Sequence, residues 1–328
     1  MKIAVVILNW NGIKLLEQFL PSVVKYSKEA VIYVADNAST DDSVAYVKAN
    51  FPDIKIIQNT TNGGYAKGYN NALKHVKEDI YCLLNSDIEV TPNWLIPIIN
   101  TFKNESKTAI IQPKILDFKD KTKFEYAGAA GGFIDKYGYP YCRGRIFNTI
   151  EDHHNQYPNT TIFWASGACF FIRKSTFEAL KGFDQSFFAH MEEIDLCWRA
   201  FNKNYTTKYI GESLVYHVGG ATLDASHPKK TYLNFRNSLF TLTKNAEGNL
   251  FILVLTRLIL DGIAALKFLT EWKPKHIFAI LKAHFSYYKH LGALLSWRKN
   301  NTQKAKYFNQ KSVVWSYFIS KKQKFSQF

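Results

Sequence analysis

Short apolar runs alternate with segments of helical period through the N-terminal part of the chain. Ile3–Leu8, Val31–Ala35, Ile54–Ile57 and Ile80–Leu84 are continuous runs rich in β-branched residues. A polar turn follows each run, and then apolar residues return at helical spacing. Leu15, Leu16, Phe19 and Leu20 fall on one face of a helix predicted over Ile13–Lys25, and further helices are predicted near Ser43–Ala49, Ala66–Val76 and Pro92–Phe102. Strands without polar alternation are buried on both faces, so the pattern predicts an α/β fold with a mostly parallel sheet between helices. The first run, broken by Asn9, Asn11 and Gly12, is too short for a secretory leader and reads as a buried strand.

In such sheets ligands bind beyond the carboxyl ends of the strands. Those positions hold Asn9, then Asp36 and Asn37, then Asn59 with Asn62–Gly64, then Asn85 with Asp87. Turns favour Asn, Asp and Gly on their own account, yet acids and amides gather here without lysine. The segment from Asn62-Gly63-Gly64 to Asn70 opens a helix with a glycine-rich turn whose amides would be free to face a phosphate. It is neither a P-loop nor a GxGxxG turn. Asp87, close behind a strand, is placed either to contact metal or sugar or to cap the next helix.

Further on, Phe163–Ile172 reads as another strand, and the segment Phe187 to Arg199 carries Glu192, Glu193 and Asp195 among aromatics. Crowded, partly buried carboxylates have raised pKa values, which suits a general base. Acids also stabilise a helix N-terminus, and Asp195 is spaced to pair with Arg199. Both readings stand together if the glutamates face a cleft and Asp195 does not. Ser213–Tyr216 reads as a strand ending at His217, again at a strand end.

Charge divides the chain. Of 42 Lys+Arg and 27 Asp+Glu, residues 228–328 hold 18 and 3, leaving 24 and 24 in residues 1–227, so the whole net charge of +15 lies in the C-terminal part. A domain border is therefore expected near 227/228. Residues 249–269 approach the ~20 apolar residues of a membrane span but are interrupted by Arg257, Asp261 and Lys267. The next helix, near His276–Trp297, sets Ile277, Ile280, Leu281, His284, Tyr288, Leu291 and Leu295 on one side, with Lys275, Lys282 and Lys289 on another. Basic amphipathic helices of this kind read as a peripheral anchor on an anionic membrane surface. A true span and a soluble helical subdomain stay open. No RNP-type or zinc-ligand pattern points to nucleic acid. The four cysteines lack CxxC spacing, so reduced thiols and a cytosolic compartment are expected.

The ordered series of motifs resembles the inverting glycosyltransferases of family 2, with a GT-A fold, and above all their bacterial rhamnosyltransferase-like branch. It runs from Val6-Ile7-Leu8-Asn9-Trp10-Asn11-Gly12 through Asp36-Asn37-Ala38-Ser39-Thr40-Asp41 and Asn62-Gly63-Gly64-Tyr65 to Leu84-Asn85-Ser86-Asp87. It continues with Glu192-Glu193-Ile194-Asp195, Arg199 and His217, and Tyr232, Arg236-Asn237 and Lys244 match that branch beyond the core, so the likeness covers about residues 1–245.

The resemblance implies donor-site contacts at Asn9, Asn11, Asp36, Asn62, Gly63, Gly64, Lys67, Asn70, Asn85 and Asp87, with Asp36 on the nucleotide base. It implies a divalent metal, Mg or Mn, on Asp87 and His217. Asn85 stands where the first acid of a DxD motif is expected, so the metal would have fewer protein ligands. Glu193 would be the catalytic base and Glu192 would orient the acceptor or the base, with Asp195 completing the acidic cluster. The implied reaction moves a sugar (rhamnose from dTDP-rhamnose, or a hexose from a UDP-hexose) to a saccharide acceptor. That acceptor is expected to be lipid-linked, in cell-surface polysaccharide synthesis at the inner face of the membrane. The flexible-looking stretch from Gly128 to Arg145 is expected to be a mobile acceptor loop. Two rivals remain: a non-catalytic sugar-nucleotide or polysaccharide-binding module, which Asn85 permits, and a membrane scaffold with a vestigial α/β part.

Overall fold

The computed structural model describes residues 1–219 and 227–328. The strands are β1 (Ile3–Asn9), β2 (Ala30–Asp36), β3 (Lys55–Gln58), β4 (Ile80–Asn85), β5 (Ile88–Val90), β6 (Thr108–Asp117), β7 (Gly132–Ile134), β8 (Pro140–Cys142), β9 (Arg145–Ile146), β10 (Thr149–Ile150), β11 (Thr160–Ile162), β12 (Cys169–Arg173) and β13 (Thr206–His217). The helices are α1 (Ile13–Tyr26), α2 (Ser43–Asn50), α3 (Gly64–Leu73), α4 (Leu95–Asn104), α5 (Lys174–Ala179), α6 (Glu192–Asn202), α7 (Pro228–Asn245), α8 (Leu250–Thr270), α9 (Pro274–Lys299) and α10 (Val313–Phe318).

The predicted α/β sheet is present, with strand order β11-β13-β6-β12-β4-β1-β2-β3 and β5 pairing with β13. β1 runs parallel to β2 and β4, and β2 parallel to β3. β12 enters antiparallel between β4 and β6, so the sheet is mixed. One apolar cluster, with Val5, Leu84 and Ile98, packs on one side; the other, with Val6, Leu83 and Tyr69, packs on the opposite side. Successive residues of one strand thus enter opposite cores, which is why the runs show no alternation of apolar and polar.

Several sequence expectations shift. α4 begins at Leu95 rather than Pro92, because the Thr91 hydroxyl donates to Leu214 O of β13 instead of capping a helix. Of the run Phe163–Ile172, only the last part is strand; Ser166 N donates to Gln112 Oε1 and turns the chain before β12. β6, interrupted in sequence by Gln112, Pro113 and Lys114, escapes the apolar pattern but sits between β12 and β13.

The stretch Gly128–Arg145 is not a mobile loop. It contributes to a small sheet, β10-β9-β8-β7; Cys142 in β8 and Ala129 and Ala130 ahead of β7 are fully buried. Arg143 ties it down by donating to Ala130 O (2.8 Å) and Pro158 O (2.9 Å).

The charge border at 227/228 is likewise no border in packing. Leu239, Phe240 and Leu242 of α7 and Tyr287 of α9 belong to the same buried cluster as Tyr69 and Leu83. α8 and α9 leave apolar stripes in the open: Phe251, Ile252, Leu255, Ile259, Ile263, Leu266 and Leu269 on the first, and Phe278, Leu281, Phe285, Tyr288 and Leu295 on the second. Among the described residues no helix is long and apolar enough to cross a membrane.

Candidate functional site

The ends of β1, β2 and β3 meet in one row. Register pairs Asn9 with Asp36, and Asp36 with Gln58, so three polar side chains arrive side by side where the apolar runs stop. Asp36 is fully buried and its carboxylate is fully engaged. It accepts from Asn9 Nδ2 (3.0 Å), Ser39 N (2.9 Å), Ser39 Oγ (2.5 Å) and Gln58 Nε2 (2.5 Å). Asn11, at φ 49°, accepts from Thr40 N at 2.7 Å and pins the neighbouring turn. Here Asp36 anchors the strand ends, and any further contact would have to displace one of these donors.

The glycine-rich turn does not hold its amides out to a ligand. Gly64 N donates to Asn62 Oδ1 (3.0 Å), while Tyr65 N and Ala66 N both point at Phe188 O (2.9 and 3.4 Å). Gly64 is required for this closeness: its φ is +76°, and a Cβ there would lie 2.5 Å from the same Phe188 oxygen. Asn70 is also structural, exchanging hydrogen bonds with Phe183 N and O at 2.9 and 2.8 Å. Gly63 caps α3 from outside and Lys67 is exposed on its first turn.

Asp87, in the turn between β4 and β5, meets His217 at the end of β13: Nε2 lies 3.1 Å from Asp87 Oδ1. Behind the ring, Nδ1 faces Glu125 Oε1 at 3.1 Å, without hydrogen-bond alignment. All three side chains are nearly buried. Burial works against charge on His217, but Glu125 and Asp87 outweigh it and raise its pKa to about 10. A carboxylate and an imidazole nitrogen converge here, with a second carboxylate behind the ring; among the described residues no group of three or more His, Cys, Asp or Glu side chains is arranged to hold a metal ion. Glu125 was missed in the sequence, since nothing local marks it; only the fold brings it to His217. Asn85 sits half-buried at the end of β4, its amide N donating to Ala168 O at 2.9 Å.

That contact leads to the acidic cluster. Gly167, next to Ala168, faces Glu193: a Cβ on it would stand 3.6 Å from Glu193 Cδ and 3.4 Å from Tyr65 Oη. Glu192 and Glu193 open α6, each with a buried Oε2 that has no hydrogen-bond partner among the described residues. A helix N-terminus favours carboxylate charge, yet desolvation wins. Burial pushes Glu193 up to about 7, and burial together with the Glu193 charge holds Glu192 well above the usual carboxylate range. Such acids resist losing their protons until something arrives to solvate them.

Asp195, in the same turn, belongs to a different structure. Its oxygens are taken by Arg199 Nε (2.7 Å), Lys244 Nζ (2.9 Å) and Asn245 Nδ2 (2.8 Å), and it is fully buried. It is a structural ion pair rather than a member of the cleft. Lys244, nearly inaccessible itself, also binds Asp184 at 2.7 Å and so fastens α7 to the loop before α6.

A mixed, mostly parallel sheet between helices, with polar side chains at its strand ends, is the architecture of GT-A glycosyltransferases. A profile described as Glycosyl transferase family 2 matches residues 4–181, more than half of the chain, and the chain belongs to that family. It is 23% identical over 250 residues to the N-acetylglucosaminyl-diphospho-decaprenol L-rhamnosyltransferase of Mycobacterium tuberculosis, covering 66% of this chain and 78% of that protein. It is 24% identical over 266 residues to the low-salt glycan biosynthesis hexosyltransferase Agl10 of Haloferax volcanii, covering 77% and 81%. The fold superposes on the mannosyltransferase PcManGT of Pyrobaculum calidifontis in complex with GDP-Man and Mn2+, with a TM-score of 0.55 and 12% identity over 88% of this chain and 87% of that one.

Proposed function

We propose that this glycosyltransferase moves a sugar from a nucleoside-diphosphate donor to a saccharide hydroxyl with inversion, using Glu193 as general base. The observation that carries the proposal is the pair Glu192–Glu193, each with a buried oxygen that has no partner among the described residues, next to the Asn85–Asp87 turn. A base with a pKa of about 7 is half ionised near neutrality and strong enough to take a hydroxyl proton as the oxygen attacks. Glu192, protonated by its environment, donates a hydrogen bond that orients the acceptor or the base. A single displacement from the face opposite the leaving group inverts the anomeric carbon. Asp87 and His217 would hold a divalent cation, Mg2+ or Mn2+, which supplies Lewis-acid neutralisation of the leaving diphosphate. Glu125 fixes the His217 ring for that task. Asn9, Asn11, Asp36 and the Asn62–Lys67 turn shape the nucleoside end, with Asp36 acting through the frame it holds.

The donor is proposed to be dTDP-rhamnose or a UDP-hexose, and the acceptor a lipid-linked saccharide. The names of the Mycobacterium tuberculosis and Haloferax volcanii relatives support a rhamnosyl or hexosyl transfer. The exposed stripes of α8 and α9 support a location at the cytoplasmic face of an anionic membrane. They are apolar, they adjoin Lys267, Lys282 and Lys289, and the surrounding region carries the excess charge of +15. That same charge disfavours pairing two copies through this face.

The test is nucleoside-diphosphate release from dTDP-, UDP- and GDP-sugars in the presence of a lipid-linked acceptor mixture. It is run with Mg2+ or Mn2+, with chelator, and with Glu193→Gln. Release that requires both metal and Glu193 supports the proposal and names the donor. Nucleotide binding without release would favour a binding module, the alternative that Asn85 permits; no binding would overturn the donor site.

A further inference from the structure

The segment that delivers the acids is held in an unfavourable backbone. Phe188, His190 and Met191 all have positive φ, at 66°, 70° and 73°, a region that costs non-glycine residues of order 1 kcal/mol or more each. None is a glycine or an asparagine. Something must over-determine this path, and it lies on α7. Asn237 is fully buried, and its Nδ2 faces Phe187 O (3.0 Å), Ala189 O (2.9 Å) and His190 O (2.7 Å). Two amide hydrogens serve three carbonyls. The amide is oriented by Arg236, whose Nε donates to Asn237 Oδ1 (2.8 Å) and whose Nη2 reaches Ser186 O and Phe187 O, both at 2.9 Å. On the far side, Phe188 O caps α3.

We infer that Asn237, oriented by Arg236, is a positioning residue for the catalytic glutamates: it collects the carbonyls of 187, 189 and 190 and thereby sets where Met191 hands the chain to Glu192 and Glu193. Its amide is the one part of the side chain that does this, because every group it meets on the loop is an acceptor. A carboxylate of the same shape would present oxygen to the three carbonyls. The catalytic meaning of the clamp rests on the proposed role of Glu193 as base; its structural meaning does not.

The experiment compares Asn237→Ala, Asn237→Asp and Glu193→Gln in the full chain. Hydrogen exchange of the peptide spanning residues 185–195 is read alongside exchange of β1 and β4. The clamp predicts faster exchange in that peptide, on the order of tenfold, in both Asn237 variants and at least as fast in Asp as in Ala, with β1 and β4 unchanged. If Asn237 only filled space, the isosteric Asp would stay near wild type and Ala would be the worse; that result overturns the inference, as does uniform loosening of the whole domain. On whichever of dTDP-rhamnose, UDP-glucose or GDP-mannose is turned over, kcat should drop roughly 100-fold with donor KM nearly unchanged, and the rise of kcat with pH should move to lower pH as Glu193 becomes solvated. A raised KM with unchanged kcat also overturns the inference. Full turnover by Glu193→Gln would sink the base assignment while leaving the exchange result to judge the clamp.

Discussion

Two carboxylate sites of the chain have opposite internal chemistry. Asp36, at the end of β2, is saturated by donors from β1, β3 and its own turn. Glu192, nearly buried, and Glu193, half-buried, at the start of α6, each keep a buried oxygen with no partner among the described residues. Burial with partners makes a frame; burial without them stores a proton affinity that a substrate can draw on. The difference comes from topology: parallel strands deliver side chains in register to one another, whereas the glutamates arrive on a strained turn, where Gly167 faces Glu193.

The largest expected effect breaks the two sites apart. Glu193→Gln should lower kcat by roughly 10²–10⁴ without lowering the melting temperature, because it removes a charge that burial penalises. Lys244→Met should do the reverse, costing about 3–5 kcal/mol of stability in denaturant unfolding, since Asp184 and Asp195 lose their shared cation. The same lysine makes Asp184 acid-sensitive. Burial raises its pKa, but Lys244 brings it down to about 2, so the contribution is complete above the ordinary carboxylate range and lost as pH falls towards 2. Asp36→Ala should cost about 2–3 kcal/mol by leaving buried donors unsatisfied, and weaken nucleotide binding only through that loss of order.

A finer contrast is in pH. Activity limited by Glu193 should rise through about pH 7 as the base deprotonates, a dependence absent from nucleotide binding held by the strand ends. The smallest effect is on location. Sedimentation with vesicles containing phosphatidylglycerol should exceed that with phosphatidylcholine alone, and Ile259→Glu or Leu266→Glu should each weaken it by about tenfold, leaving soluble-acceptor turnover intact.

The parallel half of the sheet could be read from the chain because both of its faces are buried, which writes continuous apolar runs at β1, β2 and β4. β6 could not, since Gln112 and Pro113 interrupt it for local reasons: Gln112 holds Gly128 O and Ser166 N. Asp87, His217 and the glutamates stand out in the chain because each lies at a strand end or opens a helix. Glu125 and Asn237 lie in the chain with no such mark. Their partners are 92 residues later, at His217, and 47 to 50 residues earlier, at Phe187 to His190. Asp195 misled for the opposite reason: its spacing to Arg199 announced an ion pair, and its place among acids suggested chemistry.

The ammonium group of Lys244 also sets the shortest length at which the catalytic half can exist. A chain ended after residue 227, where the charge balance changes, would keep every strand of the sheet and every acid of the cleft. It would also leave Asp184 without its cation and Asp195 with Arg199 alone, and the loop before α6 with no amide to gather it. Such a fragment should be insoluble or molten. In practical terms, α7 belongs to the core of the catalytic fold.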